Sequence, residues 1–559
     1  MDTEKSGKTA ASQGGETGAL GDALDLVQRL TSIGAALSAE KDSGRLMELI
    51  LQAARDFTGA DGGTLYSRTD DSTLVFEIMF TESLGLHLGG TSGKLIELPP
   101  LNLYHTDGSA NREMVAAWAA VSGETISIPD AYHTDDFDFS GTRVFDEKMG
   151  YRSQSFLTVP MRNHIDEVIG VLQLINACDR DEEGDGGPRP FDENDRSLVE
   201  SLASQAAIAL TNQRLIEEQK HLFESFIQLI AAAIDDKSPY TGGHCRRVPE
   251  LTMMLADAAA RMSEGLLADF DMTDEERYEL RIAGWLHDCG KVTTPEFVVN
   301  KATKLETIFD RINLVDARFD VLRQSARAEY AEARLDALER GDSGSAQAAK
   351  EGYERILVQL DDEQAFLRRA NIGGEFMSDD DQRRVRDIGA RLLPGEGSPA
   401  PLLSEDEIEN LSIARGTLTP QERETINYHI VATIKMLESL PYPKHLSRVP
   451  EFAGGHHERM DGNGYPRGLK REEMSVQARV MGIADIFEAL TAADRPYKDA
   501  MKLSQALTIL GHMKEDDHVD PDLFDVFIRH RVYQSYAEMF LDPEQIDAID
   551  EAEIPGYTP

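Results

Sequence analysis

The sequence predicts an α+β domain of about 160 residues, then a long helix, then a region built of helices alone. Three observations carry that reading. In the first third, short runs rich in β-branched and aromatic residues alternate with helical stretches. From Asn194 to about Asp235 the apolar positions keep a helical period without a break, and Ile208, Leu215, Leu222 and Leu229 fall seven apart. Further on, apolar residues recur at helical spacing around isolated histidines and acids.

Taken in order, residues 1–18 are rich in Gly, Ser, Thr and Lys and are expected to form a disordered tail. Two helices follow up to residue 59, marked by Ala23, Leu26, Val27, Leu30 and Ile33 and then by Leu46, Ile50 and Ala53. Gly59, Gly62 and Gly63 punctuate the chain. Residues 64–67, 73–80, 154–161 and 168–176 read as strands, with a helix around 113–122 between them. The α+β domain with its leading helices is placed at 19–195 and the linking helix at 196–235. Its seven-residue repeat is the seam of a coiled coil with a second copy, or the face by which the helix packs on its own domain; the spacing allows both. Residues 236–541 form the helical region. Within it, 317–340 and 345–370 are rich in Ala, Glu, Arg and Leu and are separated by Gly341-Asp342-Ser343-Gly344-Ser345, the pattern of a helical hairpin. Residues 542–559 are acidic and are expected to fray.

Composition narrows the function. There are 559 residues, with 100 acids against 57 Lys and Arg and a net charge of -43. A field of that sign repels nucleic-acid polymers and anionic membrane surfaces. An anionic substrate then needs a local island of positive charge. Cys178, Cys245 and Cys289 are too few and too scattered for a disulfide framework, which fits a reducing cytoplasm. No apolar run reaches the length of a membrane span, roughly eighteen residues.

Within the α+β domain, Val115-Ala116-Ala117 leads through Gly123 to Ile126-Ser127-Ile128-Pro129-Asp130-Ala131-Tyr132. Later Val168-Ile169-Gly170-Val171-Leu172-Gln173-Leu174-Ile175-Asn176 precedes Phe191, Asp192 and Glu193. This resembles a GAF domain, nearer to the cyclic-nucleotide-binding kind than to the phytochrome kind. That kind carries Asn-Lys, then Phe, then Asp-Glu. Here Ala177 takes the Lys place, and the acidic stretch Asp179 to Gly187 fills the interval. The resemblance implies a small-ligand sensor of unknown ligand, or a domain used only for dimerisation, and the departures count against a cyclic nucleotide.

The helical region holds polar residues that demand a partner. His244 follows Pro239-Tyr240-Thr241-Gly242-Gly243 and opens a helix. His287-Asp288 ends an apolar helical run just before Gly290. His429 lies in a helical context, and Asp485 in the apolar helix around Val480 to Ile486. His456-His457-Glu458-Arg459-Met460-Asp461-Gly462-Asn463-Gly464-Tyr465-Pro466 joins two histidines to a glycine-rich turn. Adjacent side chains on a helix diverge by about a hundred degrees, so two neighbouring imidazoles reach one ion only at a helix end or turn. Lone acids inside apolar helices are costly unless paired or bound to a cation. A His and carboxylate set without Cys suits Fe, Mn, Zn or Ni rather than a structural zinc site.

HDCGK at 287–291, HHERMDGNGYP at 456–466 and ADIFEALTAADRPYK at 484–498, in that order, resemble the HD-GYP branch of the HD phosphohydrolases. The resemblance covers 237–315 and 415–530 and implies an all-α HD-GYP helical bundle, so the whole chain is expected as an α+β GAF domain followed by an HD-GYP domain. It implies hydrolysis of cyclic di-GMP to the linear dinucleotide pGpG, and onward to GMP in part of the family. Carried over residue by residue, one divalent metal takes His244, His287, Asp288 and Asp485, and the second takes Asp288 as bridge with His429, His456 and His457. Asp288 and Lys291 then fall in the catalytic set. Lys291, Arg495 and Lys498 hold phosphate, and Gly464, Tyr465 and Pro466 shape the substrate loop. Fe or Mn is expected first, Zn or Ni next; Glu488, where Asp is usual, leaves a third metal open. Residues 314–415 are an insertion relative to the family, either a lid or a dimer surface. A cytoplasmic homodimer is expected. The rival readings are another cyclic dinucleotide, cyclic GMP-AMP, as substrate; a module that binds cyclic di-GMP without turnover; and a protein that is mainly a GAF-based sensor.

Overall fold

The computed structural model describes residues 28–178, 187–237, 243–374, 376–394, 400–493 and 501–558. The tail at 1–18, most of the acidic stretch after Asp179, and the two expected phosphate-holding residues Arg495 and Lys498 lie outside them. The chain divides into two units, 1–222 and 223–559.

In the first unit, α1 (28–39) and α2 (Ser43–Thr58) precede the strands β1 (Ala60–Arg68), β2 (Thr73–Thr81), β3 (Leu86–Gly89) and β4 (Leu101–Asn102). Then come α3 (Val115–Ser122), β5 (Ile126–Ile128), α4 (Ser140–Met149), β6 (Phe156–Arg162), β7 (Val168–Cys178) and β8 (Pro188–Arg189). α2 begins where the Asp42 carboxylate accepts from Arg45 N, a side-chain N-cap. The strands form one antiparallel sheet in the order β3-β2-β1-β7-β6-β5, with β4 on β2 and β8 on β7. Alternation sorts its side chains. Leu65, Leu172 and Leu174 turn into one core with α2, while Tyr66 and Val171 face α3 on the other side.

Gly62 and Gly63 are not in a turn. They lie inside β1, and they are glycines because the neighbours come close: an added Cβ would stand 2.8 Å from Phe80 O at Gly62 and 2.8 Å from Gln173 O at Gly63. α4 had no counterpart in the sequence reading.

α5 (Glu193–Asp235) is one helix of 43 residues linking the sheet domain to the helical region. Its opening turns are part of the first domain rather than a linker, since Val199, Leu202, Ala203, Ala206 and Ala207 are buried in the sheet core. Its last turns give Ile227, Ala231 and Ile234 to the helical core. The heptad residues Ile208, Leu215, Leu222 and Leu229 are 52%, 51%, 57% and 64% exposed, so within one chain they do not pack on their own domain.

The second unit continues with α6 (His244–Ala260), α7 (Asp274–Leu286), α8 (Glu296–Val299), α9 (Ile312–Glu339), α10 (Ser343–Ile372), α11 (Asp379–Gly389) and α12 (Glu405–Leu411). α13 (Pro420–Glu438), α14 (Val449–Gly454), α15 (Val476–Thr491), α16 (Leu503–Glu515), α17 (Pro521–Arg529) and α18 (Val532–Phe540) complete it, with a two-stranded ribbon of β9 (Leu392–Leu393) and β10 (Ala400–Pro401). α6, α7, α14, α15, α16, α17 and α18 share one apolar core. α9 and α10 are the hairpin, started at its second helix by Asp342, and they close a separate core with α11 and α12. The acidic C-terminal stretch is anchored. Ile554 and Tyr557 are buried in the main core, Lys514 Nζ donates to Gly556 O at 2.6 Å, and Ser504 Oγ donates to Asp547 at 2.6 Å. Two apolar side chains outweigh the local charge. Among the described residues, no helix is long and apolar enough to cross a membrane.

Candidate metal centre

Five helix ends or interiors deliver the polar set. His244 is the first residue of α6. α7 is started by the reciprocal Thr273–Glu276 capping box and stops at Leu286, leaving His287 at its cap and Asp288 just beyond. α13, capped the same way by Thr419 and Glu422, carries His429 in its middle. It packs against the chain after Asp288 so closely that a Cβ on Gly290 would stand 2.0 Å from His429 O, and Gly290 N donates to Thr433 Oγ1 at 2.9 Å. His456 and His457 lie in the turn that follows α14, the place where neighbouring imidazoles can converge. Asp485 sits along α15 beside the fully buried Ile483 and Ala484.

The seven side chains meet. His244 Nε2 is 3.2 Å from His287 Nε2, 3.2 Å from Asp288 Oδ2 and 3.3 Å from Asp485 Oδ1. His287 Nε2 is 3.4 Å from Asp288 Oδ2 and 3.6 Å from Asp485 Oδ1. On the other side, His429 Nε2 lies 3.3 Å from Asp288 Oδ1 and 3.2 Å from His457 Nε2. Three groups of donor atoms emerge, each within 4.8 Å: His244, His287 and Asp485; His287, Asp288 and His456; and His429, His456 and His457. The two oxygens of Asp288 therefore face different histidine clusters.

The donor chemistry fits cations. His287, His429 and His456 each direct Nδ1 at a carbonyl three residues back, Gly284 O at 2.7 Å, Ile426 O at 2.5 Å and Ala453 O at 2.6 Å. A carbonyl only accepts, so Nδ1 carries a proton and Nε2 is the nitrogen turned inward, bare when the ring carries that one proton alone. Bare nitrogens 3.2 Å apart repel unless something positive lies between them. Ligands about 2.1 Å from one ion at tetrahedral or octahedral angles stand roughly 3.0–3.4 Å from each other. Asp288 Oδ1 and His456 Nε2 are also buried without a hydrogen-bond partner among the described residues, an arrangement costly by itself.

Charges are divided across the site. Burial, with His429 close by, pushes His457 down to about 4, and burial with His457 beside it holds His456 far below the usual range. Both rings are neutral, the form that coordinates metal. Burial also opposes charge on Asp288 and Asp485. Lys291 and His287 outweigh it at Asp288, and His244 and His287 outweigh it at Asp485, so both carboxyls stand well below the usual value. At Lys291 the carboxylates of Asp288 and Asp485 overcome burial, and its ammonium touches Asp288 Oδ2.

Side chains outside these seven orient the set. Glu488 Oε2 accepts from His244 Nδ1 at 2.5 Å, and Arg247 holds the same carboxylate at 2.6 Å. Glu458, buried, accepts from Arg467 N at 2.8 Å and Leu469 N at 2.9 Å and so folds the Gly464-Tyr465-Pro466 loop back. There Tyr465 N donates to His457 O at 3.2 Å, and its ring stacks on the His457 imidazole at 4.8 Å. In the sequence Glu488 stood out only as the departure that left a third metal open; its hydrogen bond to His244 was not visible there.

The fold and this site define a two-part class of protein, a GAF domain followed by an HD domain. Residues 42–210 match the GAF domain model, and residues 241–357 and 391–523 match two HD domain models. The chain is 45% identical over 84 residues to the 3′3′-cGAMP-specific phosphodiesterase 1 of Vibrio cholerae, covering 15% of this chain and 19% of that one. It is 39% identical over 145 residues to a cyclic di-GMP phosphodiesterase of Pseudomonas aeruginosa, covering 26% of this chain and 30% of that one. The chain thus spans less than a third of the length of either relative. It is also similar to the GAF domain of an Acinetobacter phosphoenolpyruvate-protein phosphotransferase, at 14% identity and a TM-score of 0.25, covering 34% of this chain and 97% of that one.

Proposed function

We propose that the chain is a metal-dependent phosphodiesterase that hydrolyses cyclic di-GMP to pGpG and is regulated through its GAF domain. The observation that carries this is the division of Asp288 between two histidine clusters. In this reading His244, His287, Asp288 and Asp485 hold one cation, and Asp288, His429, His456 and His457 hold the other. A pair of divalent cations supplies Lewis acidity there, neutralising phosphoryl oxygens and making water acidic enough to act near neutral pH. The chain's own part is positional. The carbonyls behind His287, His429 and His456 fix the ring tautomers. Lys291 places a permanent positive charge beside Asp288, where it stabilises charge developing on a phosphodiester. By the resemblance Arg495 and Lys498 are assigned to hold phosphate, and Gly464, Tyr465 and Pro466 to contact the substrate.

Fe or Mn is proposed for the centre, since the donors are imidazole and carboxylate without thiolate. The exposed heptad face of α5 supports a homodimer, and the thiol usage a cytoplasmic setting. Cyclic GMP-AMP is the second reading, since the Vibrio cholerae relative is named as specific for that dinucleotide. Metal analysis of the purified protein, followed by chromatography of products from both cyclic dinucleotides, tests the proposal. Cleavage of cyclic di-GMP with two metals per chain supports it. Binding without turnover in metal-replete protein overturns it.

A further inference from the structure

A cavity of about 530 Å³ in the first unit lies on the α3 and α4 side of the sheet. Its walls are apolar and aromatic, among them Phe76, Met79, Leu101, Phe139, Phe145 and Phe156. Two polar groups reach it: Tyr66 Oη donates to Gln173 Oε1 at 3.2 Å and Gln173 Nε2 to Thr158 Oγ1 at 3.0 Å, while Tyr151 Oη donates to Asp61 at 2.6 Å and Ser153 Oγ to Asp146 at 2.8 Å. The Gln173 amide has a second N–H for a further acceptor. Among the described residues lining the cavity, Asp138 alone is charged, and its carboxylate accepts from Ser140 N at 2.8 Å. No Lys, Arg or His is among them. Ala177, at the place where cyclic-nucleotide-binding relatives carry Lys, is fully buried in the core on the α2 side of the sheet.

A phosphodiester anion brought into such a cavity loses its hydration and meets no cation, and its only charged neighbour is negative. A flat neutral molecule loses little and gains the contact area of the phenylalanines. We propose that this cavity binds an uncharged, planar, mainly apolar small molecule, with one carbonyl directed at Gln173, and that it rejects cyclic nucleotides. The proposal rests on the reading of this domain as a small-ligand sensor and adds the chemical class.

The test uses the full chain and the uncharged naphthalene ketone prodan, whose emission reports an apolar site, with cyclic GMP titrated in parallel by calorimetry. Prodan is expected to saturate at one site per chain. Met79→Arg, which puts a cation into the cavity, should weaken it at least tenfold. Thr142→Trp, which fills the same space from the solvent-facing helix α4, should do likewise if Met79→Arg compromises folding. Gln173→Leu should weaken prodan severalfold, and Ile165→Arg, on an exposed turn, should leave it unchanged. Saturable cyclic GMP binding in place of prodan overturns the chemical class and leaves the sensor reading standing. Failure of both to bind overturns the two together, and prodan binding indifferent to Met79→Arg and Thr142→Trp removes the cavity as its site.

Discussion

Asp288 concentrates the chemistry of this chain into one carboxylate. It is buried, it touches Lys291, and its two oxygens answer to separate histidine clusters. Its removal therefore does more than delete a proposed ligand: it leaves Lys291 and two groups of imidazoles without a carboxylate they share. Asp288→Ala and His287→Ala are each expected to lower turnover at least about a thousandfold and to lower bound metal below two per chain, read by hydrolysis assay and elemental analysis. Turnover at the wild-type level in either variant would refute the assignment. Glu488 acts one step back. With its carboxylate gone, His244 keeps its position in sequence but loses the acceptor that aims it. Glu488→Ala should weaken metal binding by about 10–100-fold while activity recovers at saturating metal. A titration in which affinity is unchanged would assign Glu488 to stability alone. That these seven side chains belong together was legible in the sequence, from the three motifs and from histidines and acids set inside apolar helices, and the structure brings them within reach of one another. Glu488 was not, because its use depends on where the first turn of α6 lands against α15.

At the scale of elements, the seven-residue spacing on α5 was legible, and the structure adds that this face is open in a single chain. What spacing could not give was the point at which α5 stops serving the sheet core, because residues 199 to 207 have the same helical period as the residues after them. Replacing Leu222 and Leu229 together by Asp is expected to weaken self-association at least tenfold in sedimentation equilibrium, and a wild-type association constant in that variant would remove the coiled-coil pairing. The insertion was readable as a hairpin from its composition and its Gly-Asp-Ser-Gly break, yet its attachment was not. Two buried lysines make it. Lys301 Nζ meets Asn410 at 2.8 Å and Glu422 at 2.7 Å, while Lys304 Nζ donates to Ile413 O at 2.7 Å and Leu411 O at 3.2 Å. Burial pushes Lys304 down to about 8. Below that pH it is charged both folded and unfolded, so the burial cost is present in full. Above it the folded chain releases the proton while the unfolded chain keeps it to roughly pH 10.4, and stability rises by an amount on the order of 3 kcal/mol over that window. Denaturation midpoints at pH 8 and 10 should therefore show a gain in the wild type that Lys304→Met lacks.

At the scale of the whole molecule, one continuous helix contributes side chains to both cores: Val199, Leu202 and Ala206 to the sheet domain, Ile227, Ala231 and Ile234 to the helical one. A ligand in the first domain can influence the second only through a difference in its affinity for two states of the chain. If it does, thermodynamics demands the reverse effect of equal size, and that reciprocity holds for binding and not for turnover. The measurement therefore belongs in a chain that binds cyclic di-GMP without cleaving it. Lys291→Ala retains every residue assigned to metal and removes a charge assigned to the phosphodiester. In that variant, whatever factor a cavity ligand such as prodan imposes on the dissociation constant for cyclic di-GMP should return unchanged as the factor that cyclic di-GMP imposes on prodan. Couplings of this kind are typically about 5–150-fold. If prodan binds the cavity yet both factors are one, that ligand does not regulate the centre, and control of the proposed phosphodiesterase must enter by another route. Unequal factors would mean that one of the two titrations reports a second binding site. Equal factors that collapse to one when Leu222 and Leu229 are both replaced by Asp would place the coupling in the paired helices.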